Sequence, residues 1–139
     1  MASSSKSREH GSLRLNDLTK PRKQRKLIAS ATEKDLQKMM SVNLSEKLRE
    51  KYGIRSLSVR KGDTVKILRG DFAGIEGKVV ETDRRIQRVT VEGVTRERVS
   101  GEQTRVPVHV SKVVLTNLDL SDKWRSERLE KPEAPEGTA

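Results

Sequence analysis

Between residues 32 and 52 the hydrophobic positions of the chain recur with a helical period. Two groups share a helical face in this way, namely Leu36, Met39 and Met40, and then Leu44, Leu48 and Tyr52. Thr32 can cap a first helix, a second helix should open at Ser45, and Gly53 supplies its C-terminal stop. We therefore predict two short helices and a linker in residues 32–56, and we expect their apolar faces to dock onto a neighbouring domain.

From Leu57 to Leu118 the hydrophobic period changes to two residues, which is typical of β-strands. Five short, valine-rich segments are predicted as strands, at residues 65–69, 77–82, 88–92, 103–108 and 113–117. The 21 Val, Ile, Leu and Phe residues between positions 57 and 118 are enough to fill a small interior. The pattern predicts a mainly β protein in which residues 57–118 form a small, closed, five-stranded barrel. Pro107 is expected at an edge or a bulge, because it has no backbone N–H.

The two ends of the chain lack such a period. Residues 1–31 are rich in Ser, Lys and Arg, and five of the seven residues 20–26 are cationic. We predict a basic extended arm that orders when phosphates neutralise it, because like charges repel and nothing apolar can be buried. A solvated tail or a nuclear-import signal is the alternative. In residues 119–139 we expect a short helix, with Trp124 as an anchor on a neighbour or on RNA, and then a disordered tail.

The charge of the chain indicates a polyanionic partner. Lys and Arg number 30 against 20 Asp and Glu, which gives a net charge of +10. Residues 1–51 carry 13 basic and 6 acidic side chains, whereas residues 119–139 carry 4 and 6, so the partner should contact the arm and the barrel. Tyr52, Phe72 and Trp124 are the only aromatic residues, too few for a continuous base-stacking platform. Binding should therefore depend on phosphate neutralisation with little reading of bases.

Other functional classes are disfavoured by what the sequence lacks. The absence of cysteine excludes disulfides, Cys-ligated zinc and thiol catalysis. The two histidines, His10 and His109, have no metal-binding spacing, and the acidic residues alternate with basic ones, so we expect neither an enzyme nor a cofactor. No apolar stretch approaches the roughly 20 residues of a membrane helix, and the start is unlike a secretory signal. We expect a cytoplasmic protein with no membrane partner and no small-molecule substrate.

The segment Arg60–Val80, with glycines at positions 62, 70, 74 and 77, resembles a KOW motif, a strand–turn–strand unit of SH3-like barrels in ribosomal and transcription proteins. With the flanking segments 44–53 and 91–96, residues 20–118 resemble the archaeal and eukaryotic form of universal large-subunit ribosomal protein twenty-four. This resemblance implies a structural constituent of the large subunit near the polypeptide tunnel exit that supports assembly. Its partners would be ribosomal RNA, neighbouring ribosomal proteins and factors at the tunnel exit.

A KOW module of transcription elongation, or another RNA-binding module, is the alternative function. Transcription proteins of this kind carry a larger α/β domain ahead of the barrel, whereas here only about 56 residues precede it, which look helical or disordered and have a strongly basic net charge. A peptide-binding SH3 module would need an aromatic-lined groove, for which the chain has too few aromatic residues.

The residues expected to contact RNA lie in the arm, the linker and the barrel turns. They are Lys20, Arg22, Lys23, Arg25, Lys26, Arg55, Arg60, Lys61, Lys66, Arg69, Gly70, Asp71, Phe72, Lys78, Arg84, Arg85 and Arg88. Glycines 70 and 74 should let the loop bring its backbone N–H groups near a phosphate, with Phe72 against a sugar or base or plugging the barrel end. The guanidinium group suits bidentate phosphate contacts. Arg96 and Arg98, in the hairpin 94–103, are expected to face solvent.

Overall fold

The computed structural model describes residues 19–130, which form a mainly β protein with four helices. The predictions for residues 1–18 of the arm and for the tail from Lys131 lie outside the described residues. The chain divides after Thr32 into two compact units.

The described part of the first unit holds one helix, α1 (Pro21–Ala29), which buries none of its residues. The prediction of an extended arm is therefore wrong for residues 21–29. Proline at the start of α1 has its φ angle preset for the first helical turn and needs no N–H partner there. The Arg, Lys, Gln, Leu and Ala residues that follow have high helix propensity, which outweighs their charge repulsion.

The second unit contains seven strands and three helices within its described residues. The strands are β1 (Ser41–Leu44), β2 (Ser56–Ser58), β3 (Thr64–Ile67), β4 (Glu76–Asp83), β5 (Arg88–Glu97), β6 (Gln103–His109) and β7 (Val113–Asn117). The helices are α2 (Glu33–Met39), α3 (Glu46–Tyr52) and α4 (Lys123–Glu130), with a short 3₁₀ helix, Val110–Lys112, between β6 and β7. Ser45 and Gly53 cap α3 as expected, with Gly53 in the left-handed conformation at φ 66°.

The strands form one sheet in the order β2-β1-β7-β3-β4-β5-β6, and only the β1–β7 pair is parallel. Strands β3 to β7 occupy the five predicted positions, but β1 and β2 extend the sheet and its hydrogen-bonded order does not close. The prediction of a closed five-stranded sheet is thus wrong. Strands β1 and β2 are only four and three residues long, too short to set a period of their own beside the helical pattern of residues 36–52.

The core lies on the inner face of the curved sheet and follows the period of two. Its fully buried side chains are Met40, Val42, Leu44, Val65, Ile67, Val79, Val89, Val91, Val94, Leu115 and the carboxylate of Asp63. Pro107 lies in the edge strand β6, beside an irregularity in the β5–β6 register, which confirms its expected place. Helix α4 adds Leu129 and Arg125 to the buried set.

Gly77 is required by a close approach of two strands. A Cβ at this position of β4 would lie 2.5 Å from the carbonyl oxygen of Glu92 and 2.8 Å from a methyl group of Val91. Strand packing, and not turn geometry, therefore explains this glycine of the KOW-like segment.

Candidate nucleic-acid interface

Every cation that the sequence assigns to RNA contact has an exposed side chain in the structure. The structure distributes these cations over helix α1, two separate grooves of the second unit, and the strand and loop surfaces outside the grooves. The first turn of α1 contains no acidic residue.

Helix α1 and the residue before it concentrate five of the predicted cations. Arg22, Arg25 and Lys26 stand at positions i, i+3 and i+4, so they share one helical face. Lys20 immediately precedes the helix and Lys23 lies in its first turn. There the positive end of the helix dipole disfavours further positive charge. The helix therefore gains electrostatic stability when an anion binds to it.

The first groove, called here the α2 groove, has a volume of about 410 Å³ and brings together three predicted residues, Arg60, Lys61 and Arg84. Its other walls come from α2, β2 and β4 and the residues next to them, through Gln37, Met40, Ser58, Val59 and Thr82. Both arginines already have a carboxylate partner. Arg84 Nη1 lies 3.5 Å from Glu33 Oε2, and Arg60 is paired with Asp122.

Two carboxylates in the segment after β7, those of Asp119 and Asp122, have a lowered pKa. The hydrogen bond from the Arg60 side chain lowers the pKa of Asp122, with a further contribution from the Trp124 backbone N–H. Hydrogen bonds from the backbone and side chain of Ser121 lower the pKa of Asp119. An RNA phosphate at Arg60 must therefore compete with a fully ionised carboxylate.

The second groove, called here the loop groove, has a volume of about 280 Å³ and lies at the glycine-bounded loop between β3 and β4. It brings together five predicted residues: Arg69, Gly70, Asp71, Phe72 and Arg88. The remaining lining residues are Ile67, Arg96, Val106, Pro107, Val108, His109 and Lys112. Two of these, Arg96 and Lys112, are cations that the sequence analysis did not assign to RNA contact.

The backbone of the loop presents free N–H groups at its first half only. Gly70 and Gly74 have φ angles of 99° and 89°, a region that glycine adopts without strain. The Gly74 N–H donates to the Ile67 carbonyl at 2.7 Å, so this group is not free to bind a phosphate. The N–H groups of Gly70, Asp71 and Phe72 have no acceptor within the described part of the chain.

Ion pairing inside the loop groove joins two segments that are distant in sequence. Arg96 Nη2 of β5 lies 3.2 Å from Asp71 Oδ2 of the loop, and both side chains are largely exposed. Arg88 donates through Nη1 to the Pro107 carbonyl at 3.4 Å, which leaves its other nitrogens available. His109 caps the 3₁₀ helix by accepting from the Ser111 N–H, as expected of an ordinary edge residue.

The remaining predicted residues lie outside both grooves. Lys66 stands directly opposite Glu76 in the β3–β4 ladder, and Lys78 stands opposite Thr64. Arg85 lies in the β4–β5 turn, where its backbone N–H donates to the Asp83 carboxylate at 3.0 Å. These residues, and Arg55 in the linker, do not lie together at one site.

Two other kinds of feature are absent from residues 19–130. These residues contain no group of three His, Cys, Asp or Glu side chains that could hold a metal ion. None of their helices is both long and apolar enough to span a membrane.

The family model of ribosomal proteins L26 of eukaryotes and L24 of archaea matches residues 19–132. The chain belongs to this family. Among its relatives, the large ribosomal subunit protein uL24 of Korarchaeum cryptofilum is 47% identical over 112 residues, which cover 81% of this chain and 86% of that protein. The uL24 proteins of Sulfolobus acidocaldarius and Saccharolobus solfataricus are each 46% identical, covering 81% of this chain and 84% and 94% of theirs.

Membership of the family confirms the resemblance drawn from the KOW-like segment and its two flanks. It also confirms that the chain is not an enzyme, because the family is one of ribosomal proteins. The alternative of a transcription-elongation module is not favoured by these relatives, all of which carry the name of a large-subunit ribosomal protein.

Proposed function

We propose that this protein is a structural constituent of the large ribosomal subunit that binds ribosomal RNA through phosphate contacts. The observation that carries the RNA contact is the loop groove, which is lined by four cations from three segments and by three loop residues whose backbone N–H groups have no acceptor in the described residues. Its single carboxylate, Asp71, leaves the groove with a clear excess of positive charge. Positive side chains and consecutive N–H groups are the two donors that bind phosphate best.

Three separate cationic surfaces act together in this proposal. Helix α1 and the two grooves each contact a different RNA element, so the protein clamps elements that are not adjacent in the RNA sequence. Folded RNA suits such a protein because it presents fixed phosphates to a rigid sheet. Each neutralised phosphate releases counterions and adds about 0.7–0.9 to the slope of log affinity against log salt.

We also propose that strands β3 to β7 correspond to an SH3-like barrel. The hydrogen bonds between these strands do not close it into a complete ring. Strands β3 to β7 are joined by four antiparallel pairings, with β7 returning to pair with β3. The 3₁₀ helix Val110–Lys112 lies between the edge strand β6 and strand β7, which pairs with β3. We assign these five strands to the KOW barrel, with β1 and β2 as an extension of it.

The wider cellular setting follows from the family. We propose the cytoplasmic ribosome as its location, neighbouring ribosomal proteins as further partners, and a place near the polypeptide tunnel exit from which it supports subunit assembly and meets tunnel-exit factors. The exposed side chains of Trp124 and Val99 are suited to contacts with protein neighbours.

Binding of the full chain to a folded fragment of large-subunit ribosomal RNA tests the function. We expect the double variant Arg69→Gln/Arg88→Gln to lose several-fold in affinity at low salt. The matched control, Lys34→Gln/Lys47→Gln, removes the same charge outside both grooves and should bind nearly as the wild type does. Equal losses in both variants would contradict a groove-based contact, and co-sedimentation with RNA polymerase in place of ribosomes would favour the elongation alternative.

A further inference from the structure

We propose that the loop groove binds one unstacked nucleotide of the RNA, with its base against Phe72 and its phosphate on the loop N–H groups. This inference rests on the proposed function and names the ligand of one of its sites. Contacts to phosphates alone would use only the charge of the groove, whereas a single extruded nucleotide also uses the aromatic residue that lines it.

The size of the groove limits what can enter it. Its volume of about 280 Å³ is just below the roughly 300–1,000 Å³ of pockets that enclose small organic ligands. An RNA helix can only lie across such a groove, because its bases are stacked and paired inside the duplex. One base with its sugar, taken out of the stack, has the dimensions to enter.

Phe72 is the aromatic residue of the groove. It is half-buried, packs against the hydrophobic core and also lines the groove. Its carbonyl oxygen accepts the Ile75 N–H at 3.2 Å, which closes the loop behind it. A ring held in this way loses little entropy when a base stacks on it, and such stacking is a main source of affinity for unpaired nucleotides.

Donors for the flanking phosphate surround the ring. The N–H groups of Gly70, Asp71 and Phe72 are consecutive and have no acceptor in the described structure, and Gly70 has a left-handed φ angle of 99°. Consecutive N–H groups of this kind form a concave anion site. Four cations line the same groove, namely Arg69, Arg88, Arg96 and Lys112. The apolar wall and the anion site are therefore adjacent in the loop, as the base and phosphate of one nucleotide require.

Affinity measurements on two Phe72 variants of the full chain test the role of the ring. We expect Phe72→Leu to weaken binding to the folded ribosomal RNA fragment about tenfold, the effect of losing one stacked base, with the salt slope unchanged. Phe72→Tyr keeps the ring and should bind as the wild type does. Leu120→Ala, which removes an exposed apolar side chain outside the groove, is the control and should have no effect. Circular dichroism of each variant reports whether the fold is kept.

A photo-crosslinking amino acid with an aromatic ring at position 72 identifies the nucleotide. We expect crosslinks at one nucleotide that chemical probing shows to be unpaired when the protein is bound. Crosslinks spread over paired nucleotides, or full affinity in Phe72→Leu, would overturn the inference. If those results came with salt-dependent binding of the wild type, the proposed function would stand without the nucleotide site; if the wild type bound no ribosomal RNA, the proposed function itself would fall.

Discussion

Arg125 of helix α4 holds the buried carboxylate of Asp63 with two hydrogen bonds, 2.6 Å from Nη1 to Oδ1 and 2.8 Å from Nη2 to Oδ2. The Asp63 side chain is fully buried, and it also accepts the backbone N–H of Arg60 at 2.8 Å and of Asp119 at 2.9 Å. One carboxylate therefore joins the turn before β3, the segment after β7 and helix α4. The family model extends to residue 132 and so includes this helix.

Removing the arginine of this pair should destabilise the fold strongly. Arg125→Leu leaves the Asp63 carboxylate buried without its cation, which costs about 3–5 kcal/mol in the free energy of unfolding. Urea denaturation at neutral pH measures the change. The control is Arg128→Leu, on the exposed face of the same helix, which should change stability by no more than about 0.5 kcal/mol. A similar small effect in both variants would show that the pair does not hold α4.

Stability should also depend on pH through Asp122. Its pKa is lowered below the ordinary value of 3.8 by the Arg60 hydrogen bond, so its ionised form favours the folded state. That contribution is complete above the unfolded-state pKa, about 3.9, and is lost as pH falls through the lower folded-state value. Wild type should therefore be more stable than Asp122→Asn at about pH 6, and the difference should shrink below about pH 3.9. Denaturation of both proteins at a series of pH values measures this difference in stability. A difference that does not change with pH would contradict the role given to the Asp122 carboxylate.

Asp71 should act as a competitor of RNA phosphate in the loop groove. Its carboxylate lies 3.2 Å from the Arg96 guanidinium, so phosphate binding there must displace it. We expect Asp71→Asn to raise RNA affinity several-fold at low salt, because it frees Arg96 and removes one negative charge. Filter binding or fluorescence anisotropy gives the affinity. A lower affinity would show instead that the Asp71 side chain contacts the RNA directly.

The five cations at α1 should contribute more to RNA binding than five cations elsewhere on the protein. Changing residues 20, 22, 23, 25 and 26 to Gln should lower the affinity for folded ribosomal RNA several-fold and reduce the salt slope, since each lost phosphate contact removes about 0.7–0.9 from it. A control with the same net charge has Gln in place of Lys34, Lys38, Lys47, Lys51 and Arg128. If the two variants lost the same affinity, net charge alone would explain the binding.

Much of the fold could be predicted because its signals are local. The alternation of valines located β3 to β7, and β7 has the bounds that the sequence predicted, Val113–Asn117. The caps at Ser45 and Gly53 located α3. Strands β1 and β2 escaped detection because each is stabilised by its partners in the sheet, among them the parallel pair with β7, and such long-range pairing leaves no local period.

The candidate site was only partly predictable for the same reason. The KOW-like loop and Arg88 were found because glycine spacing and clustered arginines are local features. Arg96 was expected to face solvent, yet it reaches Asp71 across 25 positions of sequence, and Lys112 joins the same groove from the 3₁₀ helix. The buried partner of Asp63 was likewise invisible, since 62 positions separate it from Arg125.

The salt dependence of RNA binding tests the central claim most directly. The affinity of the full chain for a folded large-subunit ribosomal RNA fragment should be measured between about 50 and 200 mM monovalent salt. With six to ten phosphate contacts, log affinity should fall against log salt with a slope of about −4 to −9. A slope near zero, or no binding at the lowest salt concentration, would contradict the account of a protein that holds ribosomal RNA by its phosphates.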